Sequence, residues 1–244
     1  TVEVIEETPQ IDASTSYRIP SPVKLYVHMK NNGAHFISDA MNPPENMDKY
    51  VTTNMKAVNF GIYAADLAYS TVFEKNQSSL SYFKNVKMMA ESLGLSEGFD
   101  EIMSKRIDKN EQNPDSIYEI ASDAYYEACN YLEAQGKEEL LSYILIGGWI
   151  ESVHIAAKSI DEFDESNPIV NHIADQGLVL DNLINHLHTV NSDDAEMKNI
   201  TQKLLEIQDE YNKLYENPED VVITYDQYEV ITEKITALRN ELIS

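Results

Sequence analysis

The chain has 244 residues, with 42 acidic against 18 basic side chains and a formal net charge of −24. That length suits one large helical domain, or two small ones, with a substantial core, and the 43% hydrophobic content is that of a globular protein. No basic cluster of any length interrupts the acidity, which weighs against nucleic acid and against docking on anionic lipid.

Such a surplus of carboxylates gives a solvated surface and an attraction for cations or a basic partner. The single cysteine, Cys129, lies among Tyr125, Tyr126 and Tyr131 and reads as a buried structural thiol. It allows no intrachain disulfide and no cysteine metal cluster. The longest uninterrupted apolar run, residues 143–150, falls short of the roughly 18 residues of a membrane span. No signal peptide is legible, and the opening Thr1-Val2-Glu3 predicts a processed or trimmed start.

Residues 1–17 mix Glu, Thr, Pro and Ser without a helical period and predict a flexible tail or tether. From residue 18 the punctuation predicts a single helical domain. A polar cap before proline recurs at Ser21-Pro22, Asn42-Pro43, Asn113-Pro114, Asn167-Pro168 and Asn217-Pro218, where the cap accepts free amides and proline has none to lose. Gly33, Gly94 and Gly136 stand where helices should stop, because glycine accepts the left-handed backbone.

Between these marks the apolar steps of three and four predict helices over 22–32, 46–74, 77–93, 97–108, 114–135, 137–160, 168–189, 194–216 and 225–243. Residues 221–225 alone look strand-like. The last two helices keep the strictest alternation, with a Thr224/Gln227 capping box before the second. They predict an antiparallel hairpin over 190–244, which packs on its own bundle or serves as a coiled-coil partner surface. The fold class is therefore all-α, a bundle of about eight or nine helices closed by that hairpin.

The tempting chemical motifs are weak. Gly94-Leu95-Ser96-Glu97-Gly98 matches a nucleophile elbow in letters, but a helix precedes it where the elbow needs a strand, so Ser96 reads as a cap. Glu151 and His154 form the chain's one E-x-x-H pair. Residues three apart share a helix face and can hold one metal, yet a di-iron bundle needs two such motifs and two further glutamates. His172 and His186 lie about 21 Å apart along one helix and cannot share an ion, and His188 points elsewhere. The acidic link Asp161-Glu162-Phe163-Asp164-Glu165 lacks the glycine and spacing of a calcium loop. No phosphate-binding loop or dinucleotide fingerprint is present.

Two acids stand out because they lie on apolar stripes, Glu151 on one helix and Asp66 on another, and a buried carboxylate needs a partner. For Glu151 the expected partners are neighbouring tyrosines or backbone. Gly61, Ala65, Gly147 and Gly148 let two helix backbones approach or leave room for a ligand. A pocket between those helices would collect Tyr63, Asp66, Tyr69, Trp149, Glu151 and His154, with aromatics giving contact area and acids fixing a polar or cationic group.

Ile19-Pro20-Ser21-Pro22, the run Asn59-Phe60-Gly61-Ile62-Tyr63-Ala64-Ala65-Asp66-Leu67-Ala68-Tyr69, and Gly147-Gly148-Trp149-Ile150-Glu151 together resemble uncharacterised exported helical lipoproteins of Bacteroidetes-type bacteria, over residues 18–160. The resemblance carries no activity. It implies an envelope or periplasmic location, with residues 1–17 as a tether and any lipid anchor lying outside this chain.

The expected function is thus a non-enzymatic binding or scaffold protein of the bacterial cell envelope, without cofactor, taking an unidentified small molecule or protein. The alternative is a metal-binding bundle, an oxidoreductase or storage protein, centred on Glu151 and His154.

Overall fold

The computed structural model describes residues 19–95, 125–126 and 128–244. Among them lie α1 (Pro22–Asn31), α2 (Thr53–Val72), α3 (Asn76–Ser92), α4 (Glu138–Lys158), α5 (Pro168–Ala174), α6 (Gln176–Val190), α7 (Ala195–Asn212) and α8 (Tyr225–Leu242). Residues 128–134 are helical as well, and no strand occurs among the described residues. The fold is an all-α multi-helix bundle.

The caps follow from the residues. Ser21 and Asn167 accept from Val23 and Ile169 and are followed by proline at the first helical position. The Thr224/Gln227 capping box is formed in both directions. Gly33, Gly94 and Gly136 take φ of 84°, 66° and 65° at helix ends, as their positions predict. Asn113-Pro114, Ser96 and the helix expected over 97–108 lie outside the described residues, as does most of the one expected over 114–135.

Three boundaries differ from the sequence reading. The helix expected over 46–74 is two pieces: a 3-10 turn (Pro44–Lys49), then α2. Tyr50 turns into the core at 2% exposure, and Thr52 caps the new helix by accepting from Met55. The helix expected over 168–189 breaks at Asp175, between α5 and α6. There the ring of Tyr211 lies against Gly177, where an added Cβ would come within 3.0 Å, while its hydroxyl donates to the Ile173 carbonyl at 3.1 Å. An inserted side chain is an ordinary cause of such a kink. Finally, residues 221–225 form no strand and lead into the Thr224 cap. Asn217-Pro218 starts no helix; the Asn217 side-chain oxygen, which would cap one, accepts from Gln227 Nε2 instead.

Helix α4 is the axis of the bundle. Every residue from Leu141 to Ala156 is buried, packed against α1, α2, α5, α6 and α8. By length and mean hydropathy it could cross a membrane, but 89% of that apolar window is covered by the rest of the fold, which accounts for its composition.

The closest crossing is between α2 and α4. A Cβ on Gly61 would stand 2.0 Å from the Ile144 carbonyl oxygen, and one on Gly147 would stand 1.9 Å from that of Val58. Each glycine therefore points a Cα hydrogen at the other helix's backbone, a weak but recurrent contact. The two glycine-bearing stretches thus touch, and backbone fills the space between them at that point.

Helices α7 and α8 form the expected antiparallel hairpin. Lys203 pairs with Glu241, Lys234 with Glu210, and Gln227 donates to the Lys213 carbonyl at 3.5 Å, so the partners run in opposite directions. The apolar faces of both helices join the one core cluster that reaches from Ile19 to Leu242.

Candidate functional site

The six residues predicted to line a pocket are all buried, with Tyr63, Asp66, Tyr69 and Glu151 at 0% and Trp149 and His154 at 3% exposure. They do not converge on one cavity. Asp66 and Glu151 meet. The tyrosines hold a loop, and His154 faces another helix.

The centre is a three-residue charge cluster. Arg239 on α8 donates from Nε to Glu151 Oε2 and from Nη2 to Glu151 Oε1, both at 2.8 Å, and from Nη2 to the Ala40 carbonyl at 3.2 Å. Two parallel bonds to one carboxylate are the strong, planar form of the pair. The partner foreseen for Glu151 was tyrosine or backbone; it is this guanidinium instead. Sequence reasoning passed over Arg239, one of three arginines in the chain, because it sits beside Leu238 at the edge of the α8 stripe. One signal was available: an unpaired acid on a core stripe calls for a rare base on another.

Asp66 is the third member. Burial raises its carboxyl well above the ordinary range, and repulsion by Glu151 raises it further; Arg239 and the Asn42 amide only partly offset this. Burial beside Glu151 therefore favours the protonated, neutral form, and its Oδ1 is buried with no hydrogen-bond partner in the structure. Its Oδ2 accepts from the Asn42 amide at 3.2 Å. Burial alone would pull the Arg239 guanidinium down, but Glu151 and then Asp66 hold it above its usual value. One cation, one anion and one neutral acid leave the buried centre without net charge, which a dry interior requires.

Around this centre several side chains bond the irregular chain between α1 and α2, while Trp149 Nε1 is buried without a partner. Buried backbone must find partners, and tyrosines supply them. Tyr63 donates to Pro43 O at 2.9 Å, Tyr82 to Asn42 O at 3.0 Å, and Tyr69 takes the Ile37 amide at 2.9 Å while donating to His35 O at 3.3 Å. Asn42 is the hub. Its side-chain amide donates to Tyr50 and Asn59, and its side-chain oxygen accepts from Asn46. Burial, first of all, raises the hydroxyls of Tyr26, Tyr50, Tyr63, Tyr69 and Tyr82; the last four act here as neutral hydrogen-bond groups, while the Tyr26 hydroxyl is buried without a partner.

The C-terminus is tied to the same network. Asn59 donates to Leu242 O at 2.8 Å and Tyr50 to Ile243 O at 3.4 Å, satisfying carbonyls that the end of α8 leaves free.

His154 faces away from this cluster. Its Nδ1 pairs with Thr236 Oγ1 at 3.1 Å. Burial, with Arg239 and Lys158 nearby, pushes the ring down to about 3, so it is neutral at physiological pH. The E-x-x-H pair is thus split between two partners on α8. Among the described residues, no three His, Cys, Asp or Glu side chains gather as a metal site. Of the other histidines, His172 stacks on His28 with centroids 4.5 Å apart, and His186 bonds Ser142 at 3.1 Å. Cys129 packs against the core, its thiol pushed up to about 12 by burial first and Glu133 second.

Open grooves on the described surface include one lined by Glu162, Phe163, Asp164, Glu165 and Asn167, and one lined by residues of α4 and α8 that include Lys158, Tyr228, Thr232 and Thr236. Neither is lined by any of the six predicted residues.

Compared with models of known families, with curated proteins and with solved structures, the chain matches none.

Proposed function

We propose that the protein is a non-enzymatic binding or scaffold protein of the bacterial cell envelope. The observation that carries the non-catalytic part is the state of the buried centre. Glu151 and Arg239 are spent on one another and on the Ala40 carbonyl, Asp66 Oδ2 takes the Asn42 amide, and the tyrosines around them hold a loop. Catalytic acids and bases need a reachable substrate atom, and this cluster faces none. Binding then belongs to the outer surface. The envelope location rests on the resemblance of residues 18–160 to exported helical lipoproteins.

Two measurements test this. Elemental mass spectrometry follows exposure of the purified chain to iron, manganese and zinc and then desalting. Metal far below one equivalent is expected, whereas near-stoichiometric metal lost in Glu151→Ala would overturn the reading. In cells, a tagged chain should fractionate with the envelope and cross-link there to a discrete partner. Recovery in the cytoplasm would contradict the location.

A further inference from the structure

One end of the molecule combines features that the buried centre lacks. The link between α4 and α5 folds against the start of α8 through aromatic rings: Phe163 lies 5.6 Å from Tyr225 and 5.4 Å from Tyr228, centroid to centroid. Those two grooves flank this cluster, Phe163 lining one and Tyr228 the other. Tyr225 is 53% exposed, and Val222 and Tyr215 in the preceding segment are 48% and 71% exposed. Exposed aromatic surface beside open grooves is the kind of patch that marks an interaction site.

The rim is acidic. Glu162, Asp164, Glu165, Asp226, Glu229 and Glu233 stand on these segments, and no ion pair among the described residues involves any of them. Three of them act on Tyr225, whose hydroxyl is held up by its bond to Glu229 and the Glu229 charge, then by burial, Asp226 and Glu233. Lys158 is the cation lining the second groove.

Resting on the binding-protein reading above, we infer that this end is the docking surface for a basic protein segment, an extended run bearing lysine or arginine. The stems of such side chains would lie on Phe163 and Tyr225 while their charged heads reach the carboxylates. Shallow grooves either side of a ridge suit an extended chain, because a small ligand needs a pocket that encloses most of it. A second copy of this chain would set the same acids face to face, which opposes self-association here.

The test is fluorescence anisotropy with a labelled peptide of alternating arginine and alanine, titrated with the full chain at about 0.15 M salt. Glu162→Gln, Glu165→Gln and Glu229→Gln combined should weaken binding at least about tenfold. A control combining Asp39→Asn, Glu91→Gln and Glu133→Gln removes the same charge from exposed sites elsewhere and should change it less than about twofold. Tyr225→Ser should weaken it about threefold or more, on the scale of a cation–aromatic contact. Equal loss in both triple variants would mean diffuse attraction to a polyanion and would overturn the inference. So would absence of binding, or displacement of the peptide by calcium at matched ionic strength. None of these results touches the metal and cross-linking tests, so failure here is separable from failure of the non-enzymatic reading.

Discussion

Arg239 and Glu151, 88 residues apart in the chain, meet at 6% and 0% exposure in a two-point ion pair that joins α8 to α4. Taking two charges out of water is costly, so such a pair contributes less to stability than its geometry suggests, while losing one member is severe. An apolar replacement of both, Glu151→Leu with Arg239→Met, should therefore fold and lie within about 2 kcal/mol of wild type in urea unfolding. Collapse of that double variant would mean that the pair does more than fill and join.

The α2–α4 crossing makes a sharper forecast. Gly61→Ala and Gly147→Ala place a methyl about 2 Å from carbonyl oxygens of the opposing helix, at 2.0 and 1.9 Å. The helices must part, and overpacking of this kind costs about 1–3 kcal/mol or more. Gly148→Ala meets nothing nearer than 3.7 Å, while alanine in a helix gains up to about 1 kcal/mol over glycine. It should be neutral or slightly stabilising by thermal denaturation. Equal penalties at Gly147 and Gly148 would contradict the crossing.

Asp66 as a neutral acid predicts a difference between its variants. Asp66→Asn keeps an uncharged donor and acceptor of the same shape, so the loss should stay within about 1 kcal/mol. Asp66→Ala strands the Asn42 amide and opens a cavity, for about 2–4 kcal/mol. Denaturant midpoints decide it. A large penalty for asparagine would mean that the native carboxyl is ionised.

The pH dependence of His154 has a definite sign. Its folded value near 3 lies below the ordinary 6.5, so on acidification the unfolded chain takes up a proton that the folded chain refuses. The stability it contributes is present above pH 6.5 and is lost as pH falls. Each unit is worth at most about 1.4 kcal/mol, so wild type should lose about 2 kcal/mol against His154→Gln between pH 6.5 and about pH 5. Asp66 has the opposite sign. Its raised folded value favours the protonated native state above pH 3.8, so wild type should lose stability relative to Asp66→Asn as pH rises from there. Parallel curves for wild type and His154→Gln would show the ring to be exposed or charged in the fold.

Much of the fold was legible because its signals are local. Caps at Ser21, Asn167 and Thr224 and glycine stops at Gly33, Gly94 and Gly136 act within a few residues. The breaks at Tyr50 and Asp175 were not, since each is caused by a tyrosine reaching a partner set by tertiary packing. The same division holds at the candidate site. That Asp66 and Glu151 are buried could be read from their apolar stripes. That Arg239 pairs with Glu151 could not, because nothing in the helical period says which distant stripe will face it. The glycines of α2 and α4 were open to two readings, and the carbonyls of Val58 and Ile144 leave only the close crossing at that point.

The central claim is that the buried polar centre is architecture. A double-mutant cycle in urea unfolding tests it most directly, with Glu151→Ala, Arg239→Ala and both together. Each single variant should lose about 3–5 kcal/mol by leaving a buried charge unpaired, and the double should lose well under their sum, with a coupling of about 2 kcal/mol or more. Single losses under about 0.5 kcal/mol, or additivity within that margin, would contradict the account and return Glu151 to the list of residues free to bind a ligand.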